Sequence, residues 1–222
     1  LLIFNYLILC TNFVHKFVLN INFFRDLLLK KIISIITIIF LIAGCSKDLP
    51  LNEDILQNSF SLIDQNGKLF QFPVDLKNKI SVVGFIYTAC PDICPLNTHN
   101  LKLIQSGVKT EKIPDVQFLS ISFDTEKDST NVLKEYAEVR NLDLHNWKFL
   151  TGSKSTIDSL IKEVGVIAIP TDTTIINGNP TIFFTHTDRI TLIDQNLKIR
   201  KNYVGSKINK DEIIEDIKSL SK

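Results

Sequence analysis

The chain contains no methionine, a single tryptophan and four cysteines, and it has no excess of charge of either sign. Since leucine and not methionine stands at position 1, we expect translation to begin at a non-AUG codon among Leu27 to Leu29, with residues 1–26 outside the native product. The 25 basic and 24 acidic side chains leave a net charge of +1, which supplies no broad positive field for a phosphate backbone and argues against nucleic acid as a partner. There is no repeat array: Leu62-Ile63-Asp64-Gln65-Asn66 and Leu192-Ile193-Asp194-Gln195-Asn196 are alike, but two copies describe two hairpin turns with the same chemistry. A length of 222 residues at 45% apolar content supports one well-buried domain and leaves little room for two.

Charged side chains are nearly missing from the first 44 residues and mixed through everything after Lys47. Lys30 and Lys31 open a targeting segment whose apolar stretch, residues 32–42, is too short to span a bilayer comfortably. It ends in Leu41-Ile42-Ala43-Gly44-Cys45, which resembles a bacterial lipobox, so we expect cleavage before Cys45 and a lipid on that residue. An uncleaved transmembrane helix starting upstream is the alternative, and either version puts the domain outside the cytoplasm, on the periplasmic face of a bacterial membrane. The expected organisation is a leader at 1–44, a lipidated N-terminus and tether at 45–57, and the folded domain at 58–222.

Residues 60–64 and 69–72 flank Gln65-Asn66-Gly67-Lys68 and should form an opening β-hairpin. Residues 80–87 are a continuous apolar, β-branched and aromatic run, the pattern of a strand buried on both faces. Leu96, Leu101, Leu103, Ile104 and Val108 mark a helix that Gly107 should stop, and residues 116–123 form a second buried strand. A helix capped by Asp128, Ser129 or Thr130, a short strand at 147–150 and a helix ended by Gly165 follow. Residues 173–176 and 181–184 read as an inserted hairpin, 190–194 and 199–204 as a C-terminal hairpin, and Asn209 with Glu212 as the cap of a last helix. Alternating strands and helices with hairpins at both ends point to an α/β, thioredoxin-like (peroxiredoxin-related) three-layer sandwich.

With Cys10 in the leader and Cys45 given to lipid, Cys90 and Cys94 are the cysteines left in the domain. A buried strand delivers both to the start of a helix, where partial positive charge and free N–H groups favour the thiolate. Three residues separate them, one more than thiol oxidoreductases usually have, which suits sulfurs spread around an ion. Two thiolates form a soft site for Cu(I) or Zn(II), and a further ligand must come from elsewhere. His15 belongs to the leader, His99 lies about 140° around the helix from Cys94, and His145 sits in a polar loop. That leaves His186, after the apolar run Ile182-Phe183-Phe184.

Thr-Ala-Cys-Pro-Asp-Ile-Cys-Pro at 88–95, Ser-Phe-Asp-Thr-Glu-Lys-Asp at 122–128, and His186 before Leu192-Ile193-Asp194 together resemble the Sco/SenC copper proteins. The resemblance implies a thioredoxin-like fold that binds Cu(I) or Cu(II) through Cys90, Cys94 and His186. It implies delivery of copper to the dinuclear copper site of a cytochrome c oxidase subunit or another copper protein. His186-Thr187 would occupy the place of the cis-proline and threonine that face the cysteine loop in thioredoxins, and Asp92 could add an oxygen to Cu(II). Other readings stay open. Cys90 and Cys94 could be catalytic as a thiol-disulfide oxidoreductase, the more so if Pro170 of Ile169-Pro170-Thr171 is the cis-proline, or they could form a plain disulfide. No arginine near Cys90 in sequence supports a peroxidase.

Overall fold

Seven consecutive buried residues, Ile80–Ile86, form the strand around which the other elements are ordered. A computed structural model describes residues 49–51, 53–55, 58–176 and 179–221. The strands are β1 (Glu53–Asp54), β2 (Phe60–Asp64), β3 (Leu69–Phe72), β4 (Ile80–Ile86), β5 (Val116–Ser122), β6 (Trp147–Thr151), β7 (Ala168–Ile176), β8 (Asn179–His186), β9 (Ile190–Ile193) and β10 (Lys198–Tyr203). The α-helices are α1 (Ile93–Thr110), α2 (Thr130–Val139), α3 (Lys154–Glu163) and α4 (Lys210–Leu220).

Eight strands make one sheet in the order β1-β10-β9-β4-β5-β6-β2-β3, and β7 and β8 form a separate ribbon. The three central strands β4, β5 and β6 run parallel, whereas the hairpins β2-β3 and β9-β10 flank them antiparallel. Parallel neighbours need helical crossovers, and α1 and α2 supply them. The two helices are tied together by a 3.1 Å bond between Thr98 Oγ1 and Tyr136 Oη. On this face of the sheet Gly84 lies against Asn97 and Leu101 of α1. The alternate residues Val83 and Phe85 face the other side, where they line a small cavity with Val164 from the end of α3 and with Ile55. Helices on both faces of a mixed sheet give the expected three-layer, thioredoxin-like fold.

The two similar turns do share their chemistry. Asp64 Oδ1 accepts from the backbone N–H of Asn66 and Lys68, both at 2.9 Å, and Asp194 Oδ1 accepts from Asn196 at 2.9 Å and Lys198 at 3.0 Å. Ser129 is the residue that caps α2, accepting from Val132 N, and Asn209 caps α4 through Glu212 N. Gly165, at φ +66°, lies just beyond α3 as expected.

Three expectations are corrected. Gly107 does not stop α1, which continues to Thr110; a Cβ there would come within 2.1 Å of Ile214 Cδ1, so this glycine serves the close approach of α1 and α4. The domain does not begin at 58, because Leu49 and Ile55 are buried and β1 pairs with β10. Short apolar residues scattered among polar ones had concealed that docking. The inserted hairpin is longer than 173–176 and 181–184, since β7 pairs with β8 from Ala168 opposite His186 outward. The leader, the lipidation position Cys45 and the Asn177-Gly178 turn lie outside the described residues. Among the described residues no helix is long and apolar enough to cross a membrane.

Candidate metal centre

Strand β4 ends at Ile86, and the chain turns through Tyr87-Thr88-Ala89 to Cys90, whose N–H donates to Tyr87 O at 3.3 Å. Helix α1 then starts at Ile93. Its N-cap residue Asp92 makes no side-chain capping bond; instead the N–H of Cys94, in the first turn, donates to Cys90 Sγ at 3.4 Å. A sulfur thus takes the position of a cap, where the free N–H groups of a helix start favour an anion. Cys94 is fully buried beneath it and Cys90 is 8% exposed. Both are free thiols.

The proton balance between them is uneven. A bond from the Cys94 thiol, aided by His186 and by the backbone N–H groups of Cys94 and Asp92, outweighs burial and brings the Cys90 thiol down to about 3. That same shared proton, together with burial, pushes the Cys94 thiol far up. Cys90 is therefore the thiolate of the pair and Cys94 the proton holder.

The ribbon brings the imidazole. His186 is the last residue of β8, and the ribbon is closed beside it by Thr187 N–H donating to Ile167 O and Ile167 N–H donating to Thr187 Oγ1, each at 2.9 Å. Phe184 and His186 pack on Tyr87 and Phe123, with ring centroids 5.1–5.9 Å apart. Phe184 N–H also donates to Tyr87 Oη at 3.5 Å. Burial lifts the Tyr87 hydroxyl to about 12, so it stays protonated.

His186 Nδ1 lies 3.2 Å from the Thr187 carbonyl, which can only accept, so Nδ1 carries a proton and Nε2 faces the sulfurs. Nε2 is 3.5 Å from Cys94 Sγ. Burial acts to lower the imidazole's pKa, but the Cys90 thiolate and the Thr187 carbonyl outweigh it, and the net direction is upward. One donor atom from each of Cys90, Cys94 and His186 falls within 4.8 Å of the others. Bonds of about 2.3 Å to sulfur and about 2.0 Å to nitrogen place such atoms roughly 3.7–4.0 Å apart around a shared first-row ion. The three side chains fit one ion with little movement.

Other candidates fall outside this group. His99 and His145 are exposed, and the exposed Asp92 does not join the three donors. Pro170 lies within β7 opposite Phe184, and the cis peptide among the described residues is Phe72–Pro73. His186 ends the ribbon and does not open β9, which begins at Ile190. The sequence reading missed Asp128 as more than a cap: it is fully buried, and its carboxylate accepts from Thr88 and Ser122. The only sequence signal was its position in the 122–128 segment.

A SCO1/SenC family profile matches residues 50–222. The chain belongs to the SCO1/SenC family. Solved relatives share the fold. A SCO1/SenC family lipoprotein of Bacillus anthracis is 32% identical at a TM-score of 0.68, over 79% of this chain and 99% of that one. Bradyrhizobium japonicum ScoI, solved with copper bound, is 27% identical at 0.63, over 74% and 99%. BsSco, described as a Sco cytochrome c oxidase assembly protein with a disulfide switch, is 30% identical at 0.63, over 79% and 97%. Within this family fold, the Cys-x-x-x-Cys loop and the ribbon histidine of the chain sit together at one end of the parallel strands.

Proposed function

We propose that the chain is a copper carrier that holds one ion on Cys90, Cys94 and His186 and delivers it to the dinuclear copper site of a cytochrome c oxidase. The meeting of two sulfurs and one imidazole nitrogen within 4.8 Å carries this reading. Such a soft three-donor set suits Cu(I), and Cu(II) with an added oxygen ligand such as water. Copper bound to the Bradyrhizobium relative supports the choice of ion, and the oxidase-assembly role of BsSco supports the client. Replacing His186 by Ala should lower copper affinity of the purified chain by more than about 100-fold, beyond the effect of changing a ligand's outer partners, while leaving thiol exchange intact. An unchanged affinity would defeat the mechanism.

The lipobox reading and the lipoprotein relative support attachment to the extracytoplasmic face of a bacterial membrane through Cys45. A fatty-acid label should enter the native chain and not Cys45→Ser; a native chain that takes up no label would point to an uncleaved span. The uneven thiol pair also favours a second reading, a thiol-disulfide reductase acting on the client's cysteines, with the Cys90 thiolate as attacking sulfur and the buried Cys94 resolving the mixed disulfide. Both roles can use one pair.

A further inference from the structure

The turn between β5 and α2 carries a buried carboxylate that none of the three proposed ligands accounts for. Asp128 Oδ2 accepts the Thr88 backbone N–H at 3.0 Å and the Ser122 hydroxyl, and Oδ1 accepts the Thr88 hydroxyl. Its own N–H donates to Asp124 O at 2.9 Å, which fixes the turn from which it points. Taking a carboxylate out of water is costly unless hydrogen bonds compensate. Here three donors offset part of that cost, though burial still holds the carboxyl above its usual range, and two of the donors belong to one residue.

That residue is Thr88, which launches the cysteine loop. Cys90 follows two positions later, and the loop's further backbone tie before α1 is the 3.3 Å bond from Cys90 N to Tyr87 O. Held by main chain and side chain at once, Thr88 can neither slide along β4 nor rotate, so the start of the loop is referred to the end of β5 and not to β4 alone. Ser122 anchors the other side of the same carboxylate at the last residue of β5.

We propose that Asp128 is a positioning residue for copper, which sets where the Cys90 sulfur stands relative to Cys94 and His186 by pinning Thr88. This inference rests on the copper reading above. It acts through hydrogen-bond geometry and not through charge. An asparagine with its oxygen in the Oδ2 place keeps an acceptor for the Thr88 N–H and the Ser122 hydroxyl, and the Thr88 hydroxyl can rotate to accept from its amide; an alanine keeps nothing.

The test loads the full chain in detergent with copper and reads two quantities: Cu(I) affinity by chelator competition, and the thiolate-to-Cu(II) charge-transfer band. Thermal unfolding of each variant serves as the folding control. Asp128→Ala should lower affinity by about 10–100-fold, as loss of a ligand's outer partners does in metal sites, and should shift the band. Asp128→Asn should stay within about 3-fold of the native chain by the same reasoning. Thr88→Val should move both readouts in the Ala direction by less, and Thr88→Ser should restore them. If Asp128→Ala does not fold, the Thr88 pair decides.

Folded Asp128→Ala or Thr88→Val chains with native band and affinity would overturn the inference while leaving the copper reading in place. Asp128→Asn behaving like Asp128→Ala would overturn its geometric form in favour of charge. A native chain without any thiolate-copper band would remove the copper reading and this inference with it.

Discussion

The sulfur side and the imidazole side of the candidate centre are built to different standards. Cys90 and Cys94 hang between a fully buried strand and the first turn of an 18-residue helix, and Asp128 ties the loop to a second strand. His186 arrives on a two-stranded ribbon outside the main sheet, with Ile167 at its base and Ile169 and Ile175 along it exposed. The ribbon is closed at its base by the Thr187–Ile167 bonds and fastened to the core near the centre by the Tyr87, Phe123 and Phe184 rings. The core thus fixes two of the proposed ligands, and a local aromatic contact fixes the third. The proposed carrier role, holding and then releasing an ion, would gain from this division, since one ligand can leave without disturbing the core.

Acid should test both sides at once and give the largest effect. Cys94 has a strongly raised pKa and keeps a proton that copper must displace, and the upward shift at His186 acts in the same direction, so competition strengthens as pH falls. Copper affinity should drop by at least about 10²-fold between about pH 8 and about pH 6, one decade per unit for the thiol proton alone. A flat profile by chelator competition would mean that copper meets ligands already deprotonated, contrary to the proton balance described.

Phe184→Ala removes the ring that fastens the ribbon and should separate the two sides more finely. Copper affinity should fall by about 10-fold, the lower end of the range for supports of a metal ligand. The urea midpoint should hardly move, because the ribbon lies outside the eight-stranded sheet. A large fall in the midpoint would show that ribbon and core are one cooperative unit.

Gly107→Ala is the opposite probe. It forces Ile214 Cδ1 aside at the α1–α4 contact and should destabilise the domain by about 1–3 kcal/mol, the usual cost of overpacking. Copper affinity of the folded protein should be unchanged, as the contact lies far down α1 from Cys94. A change in affinity would mean that strain travels along the helix to the sulfurs.

Much of this was legible in the chain. The run Ile80–Ile86 announced a strand buried on both faces because only a central parallel strand tolerates seven apolar or small residues in succession. The turns at Asp64 and Asp194 were legible because Asx chemistry is local. The cysteine pair was legible because strand, spacing and helix start are all contiguous. His186 emerged by elimination among four histidines and by family resemblance, not by any local rule. Gly107 misled because a glycine near a helix end has two uses, a stop or a close approach, and the deciding atom, Ile214 Cδ1, is more than 100 residues away. Asp128 was read as a cap because cap preferences are local, whereas its partner Thr88 is 40 residues upstream.

Composition and order alone determined the class of fold, most of the element sequence and the identity of the soft donors, since these follow from periodicity, turn chemistry and the chemistry of thiols. What tertiary structure decided was convergence: a ribbon closing at Ile167 and Thr187 carries His186 to within 3.5 Å of a sulfur 92 residues earlier, and a carboxylate on another turn sets the loop that holds the sulfurs. Distances of that kind depend on how layers pack, and packing is a property of surfaces that no single segment possesses.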